Sequence, residues 1–146
     1  MSLTALIDSN VPIYALGGDH PEKAPCLALL RAAGAGQLRG IASAEMIQEL
    51  IYHRLRVTSD RSLAVRDGRD AAALFEIMPF DAAVLEVAMR LIERTASIRG
   101  RDAVHAATAL VGGVDTMIST DPAFAAVPGL KWLDPAAAVK AISAQR

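Results

Sequence analysis

The sequence predicts an α/β fold of three layers, α/β/α, with a short, mostly parallel sheet in the middle. Its 146 residues suffice for a buried core, so we expect a single domain over residues 1–146. The candidate strands are short apolar runs without polar alternation, which is typical of strands buried on both faces. Segments of helical length separate these strands, as expected when helices connect parallel strands.

In the first half of the chain, the pattern predicts one strand followed by four helices. The strand is Leu3–Ile7, an apolar run that stops at a polar turn. Serine and aspartate side chains are suited to cap the third and fourth helices. The four helices are expected at Val11–Leu16, at His20–Ala33, from Ser43 to about Arg56, and from Ser59 or Asp60 to about Leu74.

The second half of the chain alternates between strands and helices. Short strands are predicted at Phe75–Pro79 and Thr116–Ser119, with a possible edge strand at Leu130–Leu133. Three helices are predicted between and after these strands. They are one that Asp81 caps and that reaches about Ala96, a buried one at Arg101–Val111 that is apolar nearly all round, and an alanine-rich one after Asp134-Pro135.

The composition excludes several classes of protein. The single cysteine, Cys26, rules out an internal disulfide framework and a multi-thiolate zinc site. The three histidines show no paired spacing on a helix face, which argues against a histidine-based metal site. The longest uncharged stretch, Ala103–Val114, is too short to cross a bilayer, which needs about 20 apolar residues. Since the N-terminus does not look like a secretory signal, we expect a cytoplasmic protein without a membrane partner.

The charge balance argues mildly against a nucleic-acid partner. The net charge of −1 lacks the basic excess that sequence-independent nucleic-acid binders usually carry. However, all but three of the 15 basic residues are arginines, which can grip phosphate oxygens in pairs. Five arginines lie between Arg54 and Arg69, and a second group comprises Arg94, Arg99 and Arg101. Either group can instead be a solvated helix face.

Two carboxylates follow predicted strands. Parallel sheets form their sites outside the carboxyl ends of the strands, which directs attention to Asp8 and Asp121. Asp8 is compatible with an Asx-type turn or with a metal ligand. Asp121 precedes Pro122, a usual helix start in which the aspartate is the N-cap. Because Asp134-Pro135 repeats this pattern, Asp-Pro by itself does not indicate a function.

Three further acids lie on predicted helices. Asp102 opens the buried helix, where it either interacts with the positive helix end or needs a partner such as a cation. Glu45 and Glu49 are four residues apart and lie away from the apolar side of their helix. A helical wheel favours a solvated position for both glutamates, and a position that faces a cleft is the alternative.

Together, these acids indicate a site for a hard cation. Several carboxylates that can meet at one sheet edge, without thiolates or paired histidines, specify oxygen ligands, which suit Mg²⁺ or Mn²⁺. Mg²⁺ commonly shares its ligand shell with phosphate-bearing substrates. The chemistry that such a site favours is hydrolysis of a phosphodiester by an activated water.

Four short segments that contain these acids occur in a characteristic order. They are Leu6-Ile7-Asp8-Ser9-Asn10, Ala44–Tyr52, Arg101–Ala109 and Ile118–Phe124. In this order, over about Leu3–Pro135, the chain resembles the PIN-domain ribonucleases of the VapC toxin type. The fold that the resemblance implies, a parallel sheet between helices, agrees with the fold predicted above.

The resemblance implies roles for individual residues. Asp8, Asp102 and Asp121 match the metal-binding aspartates of the family. Glu49, rather than Glu45, matches its glutamate, because an apolar pair and an aromatic residue follow it. The resemblance therefore assigns catalysis to Asp8, Glu49, Asp102 and Asp121. Asn10 and Ser119 match the polar residues that support the site.

The resemblance also implies a cofactor and partners. Members of the family need Mg²⁺ or Mn²⁺, so we expect Mg²⁺ with Mn²⁺ able to substitute. They cut RNA, commonly form homodimers and, as toxins, are neutralised by an antitoxin, so we expect these three partners. The candidate RNA-contacting residues are Arg54, Arg56, Arg99 and Arg101.

Two other functions remain as alternatives. A haloacid-dehalogenase-like phosphatase would use Asp8 as a covalent nucleophile, but that family has a second aspartate where this chain has Asn10. A catalytically degenerate PIN domain that binds RNA or protein would be expected to lack one of the acids, and none is missing. His105 is favoured as a core or supporting residue over a catalytic base, because a lone histidine lacks orienting partners.

Overall fold

The computed structural model describes residues 2–145, and at its centre is a five-stranded sheet. The strands are β1 (Leu3–Ile7), β2 (Leu38–Ser43), β3 (Glu76–Met78), β4 (Thr116–Ile118) and β5 (Lys131–Leu133). Their order across the sheet is β3-β2-β1-β4-β5, and all neighbouring strands are parallel. β1 is therefore central, and its carboxyl end lies between those of β2 and β4.

Seven α-helices and one 3₁₀ helix, which spans Pro122–Ala126, connect these strands within the described residues. The α-helices are α1 (Asn10–Leu16), α2 (Lys23–Gly34), α3 (Ala44–Thr58), α4 (Arg61–Leu74), α5 (Ala82–Arg94), α6 (Gly100–Val111) and α7 (Pro135–Ala144). None of the helices described has both the length and the hydropathy that crossing a membrane requires.

The sheet separates two hydrophobic cores. Alternate side chains of β1 point to opposite faces, so that Ala5 and Ile7 lie in one core and Leu6 lies in the other. The first core includes residues from α1, α2, α3, α4 and α7, and the second includes residues from α5 and α6. This arrangement confirms the predicted three-layer α/β/α fold.

Most predicted helix starts are confirmed together with their caps. Ser43, Asp60 and Asp81 each accept a hydrogen bond from the backbone N–H three residues further along the chain. Ser59, the alternative cap of α4, instead ends α3 in a left-handed conformation with φ of 54°. The largest difference is at the start of α2, which begins at Lys23 and not at His20, while the other helix ends lie within two residues of the prediction.

The prediction was wrong to leave out β2, which pairs with the central strand. Its sequence, Leu38–Ser43, contains Arg39 and Gly40, which interrupt the apolar run and obscure it. Gly40 is required by packing, since a Cβ atom there would lie 2.6 Å from a ring carbon of Phe75. The residue that weakens the strand pattern is therefore one that the packed sheet needs.

We expect Gly40→Ala to lower the free energy of unfolding by about 1–3 kcal/mol, because the added methyl group overpacks the core against Phe75. Urea denaturation would measure the change. Gly18→Ala is the matched control, since a Cβ atom at that position would meet no atom of a non-neighbouring residue within 4 Å. Equal effects of the two substitutions would contradict this account of β2.

Candidate functional site

Asp8 is the most buried acid at the carboxyl edge of the sheet. It follows β1 directly, and only 3% of its surface is exposed. Its Oδ2 accepts hydrogen bonds from Ser119 Oγ at 2.6 Å and from Asn10 Nδ2 at 3.1 Å, and its Oδ1 accepts one from the Ser9 N–H at 2.8 Å. Burial nevertheless raises the pKa of Asp8. Asn10 thus supports Asp8 with its amide and offers no second carboxylate, which the phosphatase alternative would need.

Ser119 and Asn10 also connect Asp8 to Asp121. The backbone N–H of Asp121 donates to Ser119 Oγ at 3.0 Å, and the N–H of Thr120 donates to Asn10 Oδ1 at 3.3 Å. Asp121 caps the 3₁₀ helix as predicted, because its Oδ1 accepts from the Ala123 N–H at 2.9 Å. The cap uses one carboxylate oxygen, so the same side chain can also serve the site.

Asp102 lies in the first turn of α6, where burial and the other acids affect its pKa. Burial raises its pKa to about 6, and the negative charges of Asp8, Asp121 and Glu49 add to that effect, while His105 opposes it. Charge interactions weaken with distance, so the effects of Asp8, Asp121 and Glu49 on Asp102 indicate that the four carboxylates share one neighbourhood. The structure therefore brings together the four acids that the sequence singled out.

Glu49 is mostly buried and faces the acidic site, so the solvated position that the helical wheel favoured was wrong and the cleft-facing alternative fits. Its side chain is 13% exposed, and Ser9 Oγ donates to its Oε2 at 3.5 Å. The reason is that α6 packs against the side of α3 that carries Glu49. A helical wheel treats α3 alone and cannot include this neighbour.

His105 has the partners that the sequence did not reveal. Its ring is fully buried, with Nε2 at 2.5 Å from Glu49 Oε1 and Nδ1 at 3.1 Å from Ser43 Oγ. Nε2 also lies 3.7 Å from Asp8 Oδ1. Burial alone would lower the pKa of His105, but the hydrogen bond to Glu49 and the charges of Asp8, Glu49 and Asp102 raise it. The sequence signal was its position three residues after Asp102, which puts both on one side of α6.

The four candidate RNA-contacting arginines differ in their surroundings. The side chain of Arg54 is not available to contact RNA, because it is 12% exposed and its Nε lies 2.9 Å from Asp67 Oδ2. This ion pair links α3 to α4. Arg101 is 63% exposed, and its Nη1 lies 3.6 Å from Glu49 Oε2, while Arg56 and Arg99 are exposed.

The chemistry of the donor set fits a hard divalent cation. Four carboxylates lie together, and Asp8, Asp121 and Glu49 add to the effect of burial in raising the pKa of Asp102. Within residues 2–145, no group of three histidine, cysteine, aspartate or glutamate side chains is already arranged to hold a metal ion. Binding would therefore require some of the carboxylates to rotate towards the ion.

Comparisons with known proteins agree with the motifs. The model of the PIN domain family matches residues 5–130. Ribonuclease VapC13 of Mycobacterium tuberculosis is 34% identical over 130 residues, which are 88% of this chain and 98% of the relative. Ribonuclease VapC7 of the same organism is 32% identical over 142 residues, 91% of this chain and 92% of the relative.

A solved structure has the same fold. A toxin–antitoxin complex from Klebsiella pneumoniae contains a chain that superposes with a TM-score of 0.67 and 20% identity. The match covers 90% of this chain and 97% of that chain. At this identity, the likeness supports the fold alone.

We expect Asp102→Asn to stabilise the metal-free protein at neutral pH. The fold raises the pKa of Asp102 to about 6, above its ordinary value of 3.8. Ionisation of this carboxyl therefore opposes folding increasingly as the pH rises from about 4 to about 7, and the amide removes the penalty. In EDTA, the difference in Tm between the variant and the wild type should grow over this range. Exposed Asp19→Asn is the control, and a difference independent of pH would contradict the electrostatic account.

Proposed function

The chain belongs to the PIN-domain family, and on this basis we propose that it is a metal-dependent endoribonuclease, the toxin of a toxin–antitoxin pair. The observation that carries the proposal is the group of four carboxylates at the carboxyl edge of the sheet, whose mutual repulsion helps to raise the pKa of Asp102. Its substrate would be RNA in the cytoplasm. The relative VapC13 is named as a ribonuclease, which supports the choice of RNA.

Asp8, Asp102 and Asp121 are the proposed metal ligands. Their oxygens suit Mg²⁺, and Mn²⁺ should substitute for it. When bound, the ion would stabilise charge on the phosphate and lower the pKa of a water molecule. Ser119 and Asn10 restrict the orientation of Asp8 through the hydrogen bonds to its Oδ2.

Glu49 is the proposed acceptor of the proton from the attacking water. His105 holds its Oε1 at 2.5 Å, and Ser9 and Arg101 lie 3.5 Å and 3.6 Å from its Oε2. His105 thereby acts as a positioning residue, because its interaction with the reaction passes through Glu49. Arg101 is exposed next to the acids, where it can contact a phosphate of the substrate.

The proposed RNA contacts are Arg56, Arg99 and Arg101, all of which are exposed. Arg54 is removed from the set because it is committed to Asp67. Arg101, which lies 3.6 Å from Glu49, would offset part of the repulsion between the carboxylates and the RNA backbone.

A homodimer and a complex with an antitoxin are also part of the proposal. The fold is shared with a chain of the toxin–antitoxin complex from Klebsiella pneumoniae. Along α5, the side chains of Leu85, Met89 and Ile92 recur at helical spacing and are each more than 40% exposed. Such a stripe is typical of a surface that binds protein.

Replacing Asp121 with Asn should reduce cleavage of single-stranded RNA in Mg²⁺ by at least about 100-fold, because it removes a proposed metal ligand. Asp134→Asn is a closely matched control, since both aspartates cap a helix and precede Pro-Ala. Asparagine caps helices about as well as aspartate, so both variants should keep their Tm. Full activity in Asp121→Asn would contradict its role as a metal ligand and leave Asp121 only as a helix cap.

His105→Gln and His105→Asn test the positioning role. The Gln amide can reach the place of Nε2 and keep a donor for Glu49, whereas the Asn amide reaches only the place of Nδ1. We expect kcat to fall by about 10–100-fold in His105→Asn and clearly less in His105→Gln, with KM for RNA little changed. Steady-state kinetics on both variants, with Tm as a check of folding, would measure this. Equal losses in kcat would contradict positioning through Glu49.

A further inference from the structure

A cavity outside the acidic site lies between α5, the end of α6 and the loop after the 3₁₀ helix. We call it the α5–α6 cavity. Its volume is about 230 Å³, which is below the range of about 300–1,000 Å³ for sites of drug-sized ligands and suits one planar group. The walls are mainly apolar. They consist of Val87, Leu91, Leu110 and Pro128, and the lining is completed by Arg90, Arg94 and Thr95.

The two arginines give the α5–α6 cavity a positive rim. The side chain of Arg94 is exposed and forms no ion pair or hydrogen bond with any residue in the described range. Arg90 pairs through Nε with Glu86 at 3.2 Å, but both side chains are more than half exposed, so water and salt weaken this pair. A guanidinium group can bind a phosphate and can also stack on the face of a base.

Thr95 supplies an unused polar group in the lining. The residue is 5% exposed, and its hydroxyl has no hydrogen-bond partner among residues 2–145. An unpaired buried hydroxyl is unfavourable, and most such groups in folded proteins find a partner. Because Thr95 lines the cavity, rotation about χ1 can turn this hydroxyl towards the polar edge of a ligand.

Two chain segments lead from the α5–α6 cavity to the acidic site. One runs from Thr95 to Asp102, and the other runs from Asp121 to Pro128. Ser97 Oγ on the first segment donates to the carbonyl of Ala123 on the second at 3.0 Å. Along α6, the rise from Asp102 to Leu110 is about 12 Å, a distance that a few nucleotides can cover. The exposed side chains of Arg99 and Arg101 lie on the intervening chain.

We propose that the α5–α6 cavity binds one unpaired base of the RNA substrate, a few nucleotides from the bond that is cut. The base would lie against the apolar walls, with Arg94 on its face or its phosphate and the Thr95 hydroxyl on its edge. The inference rests on the proposed ribonuclease function, because it makes the cavity a subsite for the same substrate. It assigns sequence preference to a position that the acids do not contact.

Cleavage kinetics test the subsite. The substrates are a single-stranded RNA that the wild type cuts and versions of it trimmed from either end towards the cut bond. Arg94→Ala and Thr95→Val should raise KM for the long RNA about 10-fold, leave kcat unchanged, and have no effect on the shortest RNA. Arg31→Ala, which removes an arginine from a different cavity, is the control. If both variants behave like this control on every length, the inference is overturned.

A titration that does not depend on cleavage tests the base site separately from the proposed ribonuclease activity. We expect the four nucleoside 5′-monophosphates to shift the amide NMR signals of Val87, Thr95 and Leu110, with a preference for one base, and these shifts to disappear in Arg94→Ala. If the wild type cuts no RNA but these shifts occur, the ribonuclease proposal fails and the base site stands. Absence of the shifts, or equal shifts with inorganic phosphate alone, would overturn the base site.

Discussion

The buried carboxylate of Asp8 is the constraint around which the rest of the site is arranged. A charge that is removed from water is costly unless hydrogen bonds or opposite charges replace its hydration. Here the replacement comes from Ser9, Asn10 and Ser119, which together form three hydrogen bonds to the carboxylate. These donors come from the ends of β1 and β4, so satisfying Asp8 also fixes how the two strand ends meet.

Other acids lie around Asp8, and the fold tolerates the repulsion between them. The pKa of Asp102 is raised first by burial and then by the charges of Asp8, Asp121 and Glu49, while His105 opposes the effect. Repulsion at this edge of the sheet lowers the stability of the fold. Packing in the two hydrophobic cores, one on each face of the sheet, compensates for it. Repulsion that a cation can relieve is what a site for a divalent ion requires, since the ion then binds with a stronger driving force.

Local patterns in the sequence were sufficient for most elements but not for the contacts between distant segments. Asp121 and Asp134 share the same Asp-Pro-Ala context and both cap helices, yet it is Asp121 that shares the hydrogen-bond partner Ser119 with Asp8. The order of the motifs, through the family resemblance, assigned Asp121 and not Asp134 to the site, which local sequence could not do. The burial of Glu49 and the partners of His105 depend on residues more than 50 positions apart, which no helical wheel includes. β2 was missed because packing against Phe75 selects Gly40, a residue that weakens the strand pattern.

The most direct test of the central claim is to locate Mn²⁺ by anomalous scattering in a crystal of the protein soaked with the ion. The account predicts one strong peak between Asp8, Asp102 and Asp121, with Asp8 still held by Ser119 and Asn10 and Glu49 still held by His105. A crystal that shows no peak there, or a peak only at other residues, would contradict a metal-dependent site and favour a PIN domain that binds without catalysis.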